Sequence, residues 1–187
     1  MRIDQSLFEG EHICFGPIDH EKDPEIESRW THDSEYLRLL QRDPALPLSP
    51  AQLKKRYEKI EKDADENHNN FYYTIRMKSD ERLVGFAELH WIDWSNGGAW
   101  LRLGIGDPAD RRKGYGEQAL RLLVNIAFNE LNLYRLTVML PEYNTAALAL
   151  FCKHGFVEEV RQREAVNRYG RRWDHLHLGL LREEWQP

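Results

Sequence analysis

Between Ala99 and Leu140 the spacing of apolar residues changes twice. In AWLRLGIG (99–106), Leu101, Leu103 and Ile105 alternate with Trp100, Arg102 and Gly104, the period of two expected of a half-buried strand. After a glycine-containing loop, Leu120, Leu123, Val124, Ala127 and Leu131 recur at helical spacing. LYRLTVML (133–140) returns to a period of two, with Leu136, Val138 and Leu140 on one face. Two strands joined through a helix in about forty residues do not make a hairpin; they lie parallel, with a right-handed crossover. The chain is thereby confined to folds whose sheet contains a parallel pair.

The other strand signals are antiparallel. FYYTIRM (71–77), RLVGFAELHWIDW (82–94) and 99–106 are rich in aromatic and branched residues, with turn chemistry at Ser79-Asp80 and Asn96-Gly97, which predicts a meander. Upstream, 11–18 reads as a first strand and Pro24 to Leu40 as one short helix with Ile26, Trp30, Leu37 and Leu40 as buried positions. DPALPLSP has three prolines and is a loop; it ends in Ser49-Pro50-Ala51-Gln52, a capping box with proline at the first helical position. The helix it opens carries Leu53, Tyr57, Ile60 and Ala64 on one stripe and ends near ENHNN. Asn144 opens a further helix ending at Gly155, and strands 156–166 and 172–181 flank the turn NRYGRR. The predicted class is α+β with a mixed, mainly antiparallel central sheet around the βαβ core. No repeat or low-complexity linker divides the chain, which predicts one domain, 1–187.

Composition removes several functions. A net charge of −5 argues against a general nucleic-acid binder. No apolar run approaches the roughly 20 residues of a membrane span, and the first residues lack the basic-then-apolar build of a secretory leader. Cys14 and Cys152 match no metal spacing, so a reducing cytoplasm is expected. His175 and His177, two apart on a strand, lack an evident third ligand and read as structural, so no metal is expected. The basic set Arg161, Arg163, Arg168, Arg171 and Arg172 reads as a solvated hairpin, and the six tryptophans mostly as core or interface. The charge is unevenly placed: residues 1–99 hold 13 basic and 20 acidic side chains, residues 100–187 hold 13 and 11.

The stretch richest in chemistry is Arg111-Arg112-Lys113-Gly114-Tyr115-Gly116, between a strand and a long helix. Two glycines at i and i+2 allow a sharp turn that converges N–H groups, and the helix start adds positive charge suited to phosphate oxygens. Neither a P-loop nor a full G-x-G-x-x-G is present, so taken alone the stretch also reads as a glycine turn with solvated arginines. Its context is more specific. LGIGDPADRRKGYGEQAL, the helix phrase AFNELNLYRL, then NTAALALFCKHGF and the ending GRRWD followed by a strand and Glu184-Trp185 stand in the order found in the GNAT superfamily of acetyl-CoA-dependent N-acetyltransferases. The chain resembles its RimJ/RimL-like branch from about residue 11 to 185.

That resemblance implies a GNAT fold whose βαβ core binds acetyl-CoA. It implies the CoA pyrophosphate on Arg111, Arg112, Lys113, Gly114, Tyr115 and Gly116, and the pantetheine arm pairing like an extra strand with Leu103, Gly104 and Ile105. Gly104 and Gly106 would permit a bulge and close ligand approach there. The Ile105 N–H would stabilise the developing oxyanion. Asn144 matches a cofactor-contacting asparagine, with helix N-cap as its other role. The chain departs from the family twice. Where relatives often carry a proton-donating tyrosine it has Phe151, left to pack against the cofactor or the core, with Tyr143, Cys152 and His154 as weak substitutes. Where many carry an acid on the fourth strand it has Arg102, which makes Glu88, His90 and Asp93 the nearest replacements; Glu88 and His90 share a strand face.

The expected activity is acetyl transfer to a primary amine of a small molecule or peptide: a polyamine, an aminoglycoside-like amine or a protein N-terminus. A cationic acceptor is expected from Asp19, Glu21, Asp23, Glu25 and Glu27 in the first helix region and Glu58, Glu61, Asp63, Asp65 and Glu66 in the second, which otherwise read as solvated faces. The competing reading, motivated by Phe151 and Arg102, is a CoA-binding regulatory module with little turnover. A homodimer is implied by the resemblance alone.

Overall fold

The computed structural model describes residues 6–186; the outermost residues of the predicted domain lie outside that range. Seven strands form one sheet: β1 (Ile13–Gly16), β2 (Phe71–Met77), β3 (Leu83–Asp93), β4 (Gly98–Ile105), β5 (Arg135–Pro141), β6 (Val157–Arg168) and β7 (Arg171–Leu181). Five α-helices accompany them: α1 (Asp23–Thr31), α2 (Ser34–Leu40), α3 (Pro50–Asn67), α4 (Tyr115–Asn125) and α5 (Thr145–Lys153). The spatial order is β1-β2-β3-β4-β5-β7-β6, and every neighbour pair is antiparallel except β4 with β5. The mixed sheet and the βαβ unit are as the apolar periods require.

Alternation along β2–β4 gives the sheet two different faces. Ile75, Ala87, Leu89, Ala99 and Leu101 point to one face and pack with Ala119, Leu120, Leu123 and Val124 of α4. Tyr72, Phe86, Glu88, Arg102 and Gly104 point to the other, under α1, α2 and α3, where Tyr72 stacks on Phe86 at 5.7 Å and meets Tyr57 of α3 at 6.1 Å. The capping box forms as expected, Ser49 accepting from the Gln52 N–H and the Gln52 side chain accepting from the Ser49 N–H. Leu53 and Tyr57 are buried; Ile60 and Ala64 are half-buried.

Two expectations need correction. The helix predicted over 24–40 is two helices: the chain turns at His32–Asp33, and Asp33 caps α2 by accepting from the Glu35 N–H. The long crossover helix turns π-helical over Ile126–Glu130, so Leu131 ends only half-buried. Of the six tryptophans Trp91 and Trp94 are exposed, at 61% and 49%, and the other four are buried or half-buried. The basic hairpin is solvated as predicted, with Arg161, Arg163, Arg171 and Arg172 exposed; Arg161 bonds Glu158 and Asp174, Arg168 donates to the carbonyls of Arg42 and Asp43, and Arg171 lies over the Trp173 ring.

Candidate active site

The parallel pairing of β4 and β5 is short. It runs from Gly98 with Arg135 to Trp100 with Thr137, and beyond that the strands part. The Gly106 N–H donates to Val84 on β3, so alternation turns the amides of Leu101, Leu103 and Ile105 toward the β5 side, where the gap opens. A groove of about 710 Å³ fills this gap. Leu103, Gly104, Ile105, Arg111, Arg112, Gly114, Gly116, Asn144 and Phe151 all line it, which brings together most of the predicted cofactor residues; Lys113 and Tyr115 are outside its lining.

At the outer end the backbone is arranged for an anion. Arg112 and Gly114 are left-handed, with φ of 60° and 84°, a turn that converges successive amides. Gly114 gives α4 no side-chain cap, and the first helical bond of that turn is from Gln118, which leaves the amides of Tyr115, Gly116 and Glu117 ahead of it. The cations behave differently from one another. Arg112 is exposed and Lys113 sits 3.6 Å from Asp110. Arg111 folds back: it donates to the carbonyls of Ile105 and Gly106 and to Asp33 at 3.0 Å, tying the loop to β4 and α2. Its guanidinium is a clip between elements, a role that residue type alone did not disclose.

Gly104 and Gly106 also make room for the helices packed behind β4. A Cβ on Gly106 would lie 2.0 Å from the Trp30 ring, and one on Gly104 would lie 2.9 Å from Leu40. Both glycines admit helices α1 and α2 against the far face of β4. Asn144 takes its local role, capping α5 by accepting from the Ala147 N–H while donating to the Leu39 carbonyl. Phe151 lines the groove and is buried against Phe156 at 5.1 Å.

At the inner end the groove reaches the other face of the sheet at Arg102. Glu88 stands opposite Arg102 in register on β3, only 6% exposed, with Arg102 at 3.4 Å and the Asn70 amide at 3.1 Å. The acid absent from position 102 is therefore present one strand over. Glu88 and His90 together line a second cavity of about 360 Å³, with Asn70, Arg56, Lys59 and Asp63. Burial lowers the His90 pKa against the pull of Glu88, so the ring is neutral at pH 7. Asp93 instead closes the turn to β4, accepting from Ser95 and Asn96.

Of the ten acids predicted to surround the acceptor, only Asp63 lines this cavity. Asp19 closes a turn by accepting from Glu21 and Lys22, Asp23 is buried on Arg76 at 2.6 Å, and Glu27 is buried between Arg56 and the Tyr57 hydroxyl. With Arg56 and Lys59 facing Asp63 and Glu88, the cavity is electrically mixed rather than acidic. Among the weak substitutes for a proton donor, Tyr143 already donates to the Arg38 carbonyl, His154 sits on Glu117, and Cys152 is exposed. Tyr36 borders the groove, and its hydroxyl is buried with no hydrogen-bond partner in the protein.

The model of the acetyltransferase (GNAT) domain matches residues 12–157. The chain belongs to the GNAT family. Within it, the probable N-acetyltransferase YjcK of Bacillus subtilis (strain 168) is 33% identical over 127 residues, 66% of each chain. The putative ribosomal N-acetyltransferase YdaF of the same organism is 31% identical over 107 residues, 57% of this chain and 58% of its own. The match thus spans less than two thirds of either relative. Among solved structures, a probable acetyltransferase superposes with TM-score 0.82 at 24% identity, covering 94% of this chain and 96% of that one. A spermidine N-acetyltransferase from Vibrio cholerae, in complex with CoA and spermine, gives 0.80 at 18%, covering 94% and 98%. At these identities the likeness establishes the GNAT fold. Among the described residues no group of side chains could hold a metal ion, and no helix is long and apolar enough to cross a membrane.

Proposed function

We propose that this GNAT chain is a RimJ/RimL-like N-acetyltransferase that moves acetyl from acetyl-CoA to a primary amine by direct attack. The observation that carries the reading is the opening of β4 from β5 after Trp100 and Thr137, with an uncapped helix start at its outer end and the Glu88–Arg102 pair at its inner end. An amide-bearing arm ending in phosphates fits such a gap: its amides satisfy the outward groups of Leu103 and Ile105, and its phosphates meet the free amides of α4.

Acetyl-CoA supplies an activated thioester. The Ile105 carbonyl already accepts from Arg111, so its N–H is the group left to bond a developing oxyanion. The amine enters from the face that carries Glu88 and His90. Its nitrogen attacks the carbonyl carbon, the proton lost from nitrogen passes to Glu88 or His90, directly or through water, and the C–S bond breaks to expel the CoA thiolate, which takes a proton from water and leaves as the free thiol. The mixed charge of the second cavity supports a single primary amine over a polycation. The two free thiols, Cys14 and Cys152, fit the predicted cytoplasmic setting.

Thiol release from acetyl-CoA with a panel of primary amines tests this reading. Release with at least one amine, together with thermal stabilisation by CoA, is expected. Stabilisation without release from any amine would favour a CoA-binding regulatory module instead, and absence of CoA binding would sink both.

A further inference from the structure

The second cavity, about 360 Å³, stands at the small end of the roughly 300–1,000 Å³ that ligand pockets span. Two of its charges are already paired, Arg56 with Glu27 at 3.2 Å and Glu88 with Arg102 at 3.4 Å. Two others, Lys59 and Asp63, line it from α3 one helical turn apart and form no ion pair among the described residues. Lys62 and Glu66, at the same spacing on that helix, do pair, at 3.7 Å. One cation and one anion are thus left to be met, and a ligand with one charge of each sign meets both. The β3 wall adds a strained element. β3 and β4 slip register between His90 and Asp93, and in that bulge Trp91 takes φ of 49°, a left-handed backbone that a bulky residue adopts only under constraint. Its ring is 61% exposed, 4.6 Å from that of His90 and 5.9 Å from that of Trp100. Strain of this kind gathers at ligand sites. The other apolar residue of the lining is Ile60.

Resting on the acetyltransferase reading, we propose that this cavity is the acceptor site and that the acceptor is a free amino acid with an apolar side chain. Its amine meets Glu88 and His90, where the proton is taken, and Asp63 adds to the attraction for the ammonium form. Its carboxylate meets Lys59, the cation that no protein group answers. Its side chain lies against Ile60 and Trp91, which covers apolar surface of both partners. Amine and carboxylate share one carbon in such a molecule, which suits a cavity of this volume. The alternatives fit less well. A polyamine would set further cations against Lys59 and Arg56, a plain amine would leave Lys59 unmet, and a peptide N-terminus carries an amide where the carboxylate should be.

Leucine and phenylalanine, each set against the amine that lacks only its carboxylate (3-methylbutylamine and 2-phenylethylamine), test this by titration calorimetry on the protein with and without CoA. At least one acid should bind about 10-fold more tightly than its amine, the size of one hydrogen bond to a charged group. Lys59→Gln should erase that difference by weakening the acid alone. Lys62→Gln, on the same helix but outside the cavity lining, should change neither affinity. Trp91→Ala should weaken acid and amine alike. With acetyl-CoA present, kcat/KM should follow the same order. Equal affinities for acid and amine would overturn the proposal, as would no binding of either acid at millimolar concentration or a Lys59→Gln loss shared by both. Thiol release with plain amines and no preference for the acids would overturn it while upholding the acetyltransferase reading. Binding of an acid with no thiol release from any amine would uphold the amino-acid site and overturn that reading.

Discussion

Glu88 and Arg102 face each other across two strands, and each is placed by the other. Glu88 is held by Arg102 and by the Asn70 amide, whose own oxygen is left buried without a partner beside the second cavity. Glu88→Gln keeps an oxygen for Asn70 and Arg102 to donate to, so folding should change little. On the proposed mechanism, with Glu88 as base, the variant should lower thiol release by about 10²-fold; a variant that kept parental turnover would remove Glu88 from the mechanism. Glu88 was legible in the sequence as a replacement acid, because position 102 and position 88 are both identifiable on adjacent predicted strands. The outward turn of Trp91 was not, since the bulge that produces it is set by the pairing of β3 with β4 and not by alternation along either strand.

Glycines distinguish two kinds of constraint on the strand and loop that frame the groove. Gly106 is enclosed by the Trp30 ring, whereas a Cβ on Gly116 would meet nothing closer than 3.8 Å and would project toward Leu103, Ile105 and Leu150. Gly106→Ala should therefore destabilise the fold by about 1–3 kcal/mol through overpacking of α1 on β4, read by denaturant melts. Gly116→Val should fold normally and lose at least about 10-fold in CoA affinity, the equivalent of about 1.4 kcal/mol; unchanged affinity would move the phosphate site elsewhere. The strands, the capping box at Ser49 and the crossover were readable because each follows from local period or spacing. The break between α1 and α2 was not taken from sequence, since 24–40 holds no glycine and its proline stands at the very start. Asp33 as an N-cap was the available sign.

Across the whole molecule, β7 carries a pH response. It sits between β5 and β6, and its His175 is 3% exposed, with burial and the nearby Arg42 and His177 lowering its pKa to about 4. An unfolded histidine titrates near 6.5. Between pH 6.5 and 4 the unfolded chain binds a proton that the native one refuses, so stability falls as pH falls through that window. His175→Gln should flatten this part of the Tm–pH curve by several degrees; an unaltered slope would assign the response to other groups.

The short seam between β4 and β5 has a further consequence for how the molecule is held together. Strands β1 to β4 and strands β5, β7 and β6 are two half-sheets stitched by only the register from Gly98–Arg135 to Trp100–Thr137. On the proposed function, a ligand lying between them would stand in for a missing length of backbone and complete the sheet. Amide hydrogen exchange should record this directly, with CoA slowing exchange at Leu103 and Ile105 far more than in the β6–β7 hairpin.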